Sequence, residues 1–131
     1  MKKNLFILII LLIAELLSAQ SKIDSLETLL PKYSGKEKVD LLYDLAWAYK
    51  YEKPQKGLEY AEQGLNIVKD LEYKEGEAKL RKAIGATYLT LGNYKLGLNN
   101  TKLSLKTYEE LNNKQGVAST LNIIGIIFIV F

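Results

Sequence analysis

The chain nearly repeats itself after forty residues, and no other feature limits its fold as tightly. Leu71-Glu72-Tyr73-Lys74-Glu75-Gly76-Glu77-Ala78 lands, forty residues on, at Leu111-Asn112-Asn113-Lys114-Gln115-Gly116-Val117-Ala118. The same step carries Ile84-Gly85 and Tyr88 onto Ile124-Gly125 and Phe128. It also carries Gly57-Leu58, Leu65 and Leu71 onto Gly97-Leu98, Leu105 and Leu111. A fixed period of this size marks a stacked helical array, in which each unit buries its apolar face against a neighbour.

The apolar spacing agrees with helices and gives no strand signal. Val39, Leu42, Leu45, Ala46 and Tyr49 recur at intervals of three and four over residues 36–51. Pro54 suits the first position of a second helix reaching about residue 71, with Leu58, Ala61, Leu65 and Val68 as its stripe. Residues 72–76 read as a polar connector ending in Gly76. A third helix over 77–91 carries Leu80, Ile84, Tyr88 and Leu91. Gly92 should end it and Asn93 should cap the fourth, which runs to residue 111 through Leu98, Leu105 and Tyr108. A fifth begins near residue 115. The expected class is all-α.

Ahead of the array lie two further segments. Lys2 and Lys3, the apolar run from Leu5 to Ala14 and the small residues around Ala19 have the three-part layout of a secretory signal over residues 1–20. Glu15 interrupts the run, and the alternative is an uncleaved N-terminal anchor, although the run is shorter than the roughly 20 residues of a comfortable span. Either points to export into the periplasm or cell envelope, with membrane contact only through residues 1–20 if they stay attached. Residues 21–34 then hold a short leading helix, capped by Ser21, with Ile23, Leu26, Leu29 and Leu30 at helical spacing and Pro31 closing it.

Composition removes several function classes. The 131 residues contain no Cys and no His, so disulfides, thiol chemistry and the triads and zinc sites built on those residues are excluded. The net charge is +3, and removal of Lys2, Lys3 and Glu15 leaves sixteen basic and fourteen acidic residues, interspersed. A nucleic-acid surface would cluster its positive charge, so no nucleic-acid partner is expected. Glu109-Glu110 and Glu75 with Glu77 are close carboxylate pairs, placed at a helix end and a connector where solvated charge explains them. No enzyme activity, cofactor or metal is expected.

Leu45-Ala46-x-x-Tyr49 and Ile84-Gly85-x-x-Tyr88 resemble the first-helix signature of the tetratricopeptide repeat. Gly57-Leu58 and Gly97-Leu98 stand where that family has a small and an aliphatic residue, and Gly64-Leu65 and Ser104-Leu105 match its second small-large pair. Leu91-Gly92-Asn93-Tyr94 resembles its turn. The spacing is longer than the family's usual 34, and its Pro near the end of each unit is missing. The resemblance covers residues 36–131: a first repeat at 36–74, a second at 75–114 and the first helix of an incomplete third at 115–131. It implies a right-handed superhelical array of antiparallel helix pairs.

The same resemblance implies a concave face made by first helices. Asp40, Tyr43, Trp47, Lys50 and Tyr51 would line it in the first repeat, and Lys79, Lys82, Ala86, Leu89 and Thr90 in the second. An aromatic floor edged with Lys suits an extended or helical peptide. Trp47 has an equal claim to packing on the leading helix. Some family members grip a C-terminal carboxylate with paired Asn, but Asp44 and Ala83 occupy those places here, so that specificity is not expected.

Residues 121–131 are apolar almost without relief. In register they begin a third unit whose outer face nothing covers, which suggests a piece of a longer repeat protein, docking on a partner, or self-association through residues 121–131. The function expected is a non-catalytic protein–protein interaction scaffold of the bacterial cell envelope. The alternative is the sensory repeat region of a membrane-bound signalling protein, a histidine kinase or DNA-binding regulator, whose output domain is absent here.

Overall fold

The computed structural model describes residues 1–130. Six α-helices and one 3-10 turn make up its regular structure, and no strand occurs among the described residues.

The first helix, α1 (Lys2–Leu29), differs from expectation. No break separates the N-terminal apolar run from the leading helix, and Ser21 caps nothing. Gln20 Nε2 donates to Asp24 Oδ1 at 2.8 Å and Ser25 Oγ to Ser21 O at 2.9 Å, so the sequence bridges the supposed boundary with its own i,i+4 bonds. Neither Gly nor Pro interrupts the chain until Pro31, where a 3-10 turn (Leu30–Lys32) ends the helix and Tyr33 turns extended. Only Ile23 of α1 is buried. Every large apolar side chain from Leu5 to Leu17 is exposed. By length and composition the helix with its 3-10 turn, Lys2–Lys32, is apolar enough to cross a membrane.

Five helices of similar length follow: α2 (Gly35–Tyr49), α3 (Pro54–Val68), α4 (Lys74–Thr90), α5 (Tyr94–Glu110) and α6 (Lys114–Val130). Pro54 does open α3, and Asn93 does cap α5, accepting from Leu96 N at 3.3 Å. Gly92 takes φ +74°, and Glu72 and Asn112 take φ 50° and 54°, so the chain turns left-handed at the same point every twenty residues. The 72–76 connector is shorter than its composition suggested. Gly76 lies inside α4, packed under Tyr73 and Val39, and does not end a loop.

Helices α2, α4 and α6 lie side by side. Helix α3 packs against both α2 and α4, and α5 against both α4 and α6. Sequential helices run antiparallel: Ser104 late in α5 donates to Ala78 O early in α4 at 2.7 Å, while Gly97 early in α5 faces Gly85 late in α4. The seams are made of small residues. Gly57, Ala61, Gly64 and Val68 are the buried face of α3, and Gly97, Thr101, Ser104 and Tyr108 that of α5. Leu58, Leu65, Leu98 and Leu105, expected as core stripes, are half-buried at the seam edges. The reason is backbone proximity. A Cβ on Gly85 would overlap Thr101 Oγ1 and stand 3.1 Å from Gly97 O. The core fills from the other helices, with Val39, Leu42, Leu45, Leu80 and Ala83 fully buried. Hydroxyls in the seams mostly bond back to their own helix: Thr87 to Ala83 O at 2.8 Å, Thr101 to Gly97 O at 2.7 Å, and Thr120 to Gly116 O.

The array ends differently on its two sides. Ile23, Leu26 and Leu30 of the α1 end cover Leu45 and Tyr49. On α6, Gly116, Thr120, Ile123 and Ile127 are buried, but Leu121, Ile126, Phe128 and Ile129 stand in solvent.

Candidate binding face

The face made by α2, α4 and α6 collects most of the groove residues expected from the sequence. Asp40 on α2 accepts from Tyr73 Oη at 2.9 Å and from Lys79 Nζ at 3.3 Å, and so ties α2 to α4. One turn along, Tyr43 and Trp47 set their rings 6.1 Å apart at 34°. Lys82 reaches over both rings from α4, its Nζ 5.6 Å from the Tyr43 centroid and 5.4 Å from that of Trp47. Lys50 lies over the far side, 4.0 Å from the Trp47 centroid and 4.3 Å from that of Tyr51. Two ammonium groups thus flank one aromatic ledge, a cation–π arrangement.

Below the ledge is a cavity of about 330 Å³ between α2, α4 and α6. Tyr43, Lys79 and Lys82 border it, joined by Tyr108 from the end of α5 and Ser119 from α6. Lys82 Nζ donates to Ser119 Oγ at 3.3 Å and makes no ion pair among the described residues. Burial pushes its ammonium pKa down, and the neighbouring Lys79 charge adds to the effect. Burial also pushes the Tyr43 hydroxyl up to about 12, reinforced by Asp44, and raises that of Tyr108. Both phenols therefore keep their protons at neutral pH and remain donors. A pocket with an ammonium that has no ion-pair partner among the described residues and two phenol donors, with Glu75 also in its lining, is complementary to an oxygen anion at the Lys82 side.

The remaining expected residues do not join this pocket. Ala86 is 7% exposed and forms a small cluster with Ile123 and Ile127, on which Trp47 and Leu89 rest. Thr90 turns its hydroxyl back to Ala86 O at 3.1 Å, at the far end of α4. Trp47 also borders a second cavity of about 340 Å³ shared with Ala19, Lys22 and Ile23 of α1. It therefore meets both the ledge and the leading helix. Among the close carboxylates, Glu77 is held by Arg81 Nε at 2.9 Å, while Glu75 sits at the rim of the first cavity.

The sequence reading missed Tyr108, Ser119, Asn113 and Gln115 as pocket residues. The forty-residue step contained part of the signal, since it maps Lys79 onto Ser119 and Glu75 onto Gln115. It also missed a polar cluster at the array's first edge. There Glu27 Oε1 of α1 accepts from Lys56 Nζ at 2.7 Å and from the Tyr60 and Tyr49 hydroxyls at 2.8 Å each. The bonds from Lys56, then Tyr60 and Tyr49, lower the Glu27 pKa to about 2. The Tyr49 and Tyr60 rings stack at 6.0 Å beneath it.

No family model, no curated protein and no solved structure matches this chain.

Proposed function

We propose that this chain is a tetratricopeptide-like module, a right-handed superhelical array of antiparallel helix pairs, exported to the bacterial cell envelope. It works there as a non-catalytic scaffold, holding a peptide or partner protein against the α2–α4–α6 face. The observation that carries this reading is Lys82, an ammonium with no ion-pair partner among the described residues, seated between Tyr43, Trp47 and Ser119 at the mouth of a cavity. Such a group favours a partner that brings its own negative charge. The antiparallel seams and the parallel rank of α2, α4 and α6 support the array.

The test uses Trp47, the one tryptophan in the chain, as the reporter. Synthetic dodecapeptides rich in Glu and aromatic residues, and matched peptides with Lys in place of Glu, are titrated against the full chain. The acidic set should shift Trp47 emission in a saturable way, and Lys82→Gln should weaken that binding about tenfold. Equal response to both sets, or none, would sink the reading.

Export rests on residues 1–20. Cleavage after Ala19 would leave Ile23 and Glu27, which fasten α1 to the array, on the mature chain. Sequencing the amino terminus of protein recovered from the periplasm tests this, and a start at Gln20 is the expected result. The second reading, a membrane-bound sensory array, is favoured by one observation: α1 continues unbroken from its exposed apolar half into the docked half. A start at Met1 in the membrane fraction would support it.

A further inference from the structure

Helix α1 fixes which end of the array a membrane would meet. Ile23 packs on Leu45 and Tyr49. Nearer the N-terminus, Ala19 shares a cavity of about 340 Å³ with Trp47, Ala48 and Glu52. Numbers fall along α1 as they rise along α2, so the two helices run antiparallel, joined by the short turn Leu30–Lys32. The apolar half of α1 therefore projects past the end of α2 and the turn at residues 50–53. Its length then sets a level. Lys3 and Lys22 flank it, and Glu15 is the one charge between them. The two lysines stand about 28 Å apart along the axis, nineteen residues at the helical rise. A bilayer's hydrocarbon layer is about 30 Å thick. Every large apolar side chain from Leu5 to Leu17 is exposed, and insertion into that layer removes them from water. With Lys3 at one surface of the layer, the other surface falls at Lys22. Lys22 lines the same cavity as Trp47 and Glu52, so the end of α2 sits at the headgroups.

The side chains at that level suit a headgroup zone. Lys50 Nζ lies 4.0 Å from the Trp47 centroid and 4.3 Å from that of Tyr51, and Tyr51 is 74% exposed. Lys53 is exposed beside them. Trp and Tyr rings favour the border between hydrocarbon and water, and a Lys stem can lie along an apolar surface while its ammonium reaches phosphate. We propose that the turn at residues 50–53, with Trp47 behind it, rests on the headgroups of the phospholipid bilayer that holds the apolar half of α1. This extends beyond residues 1–20 the membrane contact expected from the sequence. The contact requires α1 in the bilayer, which applies both to a signal before cleavage and to a retained anchor. It does not depend on the Lys82 face. Neither α6 nor Phe131, which belongs to the self-association expected from the sequence and lies outside the described residues, takes part.

Trp47, the chain's one tryptophan, reports the depth. The full chain is reconstituted into vesicles of phosphatidylethanolamine and phosphatidylglycerol, part of the lipid being brominated near the headgroup end of its acyl chains, and the vesicles are floated. The chain should float with them, and the brominated lipid should remove about half of the Trp47 emission, as for a ring at the interface. The paired variant Trp47→Phe with Tyr33→Trp moves the reporter to the opposite end of α2. That position is about 16 Å further from the bilayer, eleven residues beyond Lys22 at the helical rise, and its emission should be almost unchanged. Tyr33 is 43% exposed, so Trp is accommodated there, and helical circular dichroism checks the fold. A floating chain whose Trp47 emission is untouched, or whose two reporters are quenched equally, would overturn the contact and leave α1 in the bilayer. A chain that does not float would overturn the insertion of α1, and the contact with it.

Discussion

At one edge of the helical stack, α1 lies over α2, closing Leu45 and Tyr49 with Ile23 and pinning itself through Glu27 to Lys56 and two tyrosines. At the other edge, no helix among the described residues covers the outer side of α6, and Leu121, Gly125 and Phe128 are exposed. Between them α4, built on the same repeat positions as α6, is buried on several sides. Burial is therefore not written into a repeat unit. The same pattern is core where a helix covers it and open surface where none does.

The largest effect should separate the edges through leucine. Leu45 is fully buried under α1, so Leu45→Ala should cost about 2–5 kcal/mol in chemical denaturation. Leu121→Ala on the open face should stay within about 0.5 kcal/mol in the dilute protein. Similar costs at both positions would break the contrast.

Glycine sharpens it with a change of sign. Gly85→Ala forces Thr101 aside and crowds Gly97 O, and should destabilise by about 1–3 kcal/mol. Gly125→Ala meets nothing and should stabilise by about 0.5–1 kcal/mol, the helix preference for Ala over Gly. Thermal melts of the two variants read this directly.

A smaller effect tests the closed edge alone. The folded state lowers the Glu27 pKa from 4.5 to about 2, so between those values the unfolded chain binds more protons. The stability that Glu27 contributes is therefore complete above pH 4.5 and is lost as pH falls towards 2. Melting temperature should fall over that window in the native chain. The fall should be shallower in Glu27→Gln, and parallel curves would remove Glu27 as the fastening.

Much of the helical layout was legible because its signals are local. Pro54 and Asn93 mark helix starts by their own chemistry, and Gly92 supplies the positive φ that a sharp stop needs. Where the reading strayed, the deciding contact was distant or the local signal was indifferent. Ser21 looks like a cap, but serine is also tolerated inside a helix, and nothing nearby forced a break. Gly76 looks like a loop residue until Tyr73 and Val39 are seen against it. The leucines of α3 and α5 suggested a core stripe, whereas close backbones gave that place to Gly, Ala, Thr and Ser. At the candidate face, residues on α2 and α4 were legible by register. Tyr108 was not, because it enters the cavity from the end of a second-row helix.

The threonines in the seams have a consequence beyond stability. Thr87, Thr101 and Thr120 satisfy their hydroxyls on their own helices, and Ser104 alone reaches across, to a backbone carbonyl that any residue would offer. None of these hydroxyls requires a matching polar side chain on the helix it faces. Across these seams only side-chain size must agree, and the polar pairs that join one unit to the next, Asp40 with Tyr73 and Lys79 and Lys82 with Ser119, lie on the α2–α4–α6 face instead. A gene segment encoding one such unit can therefore be duplicated or exchanged with matching polar changes confined to that face.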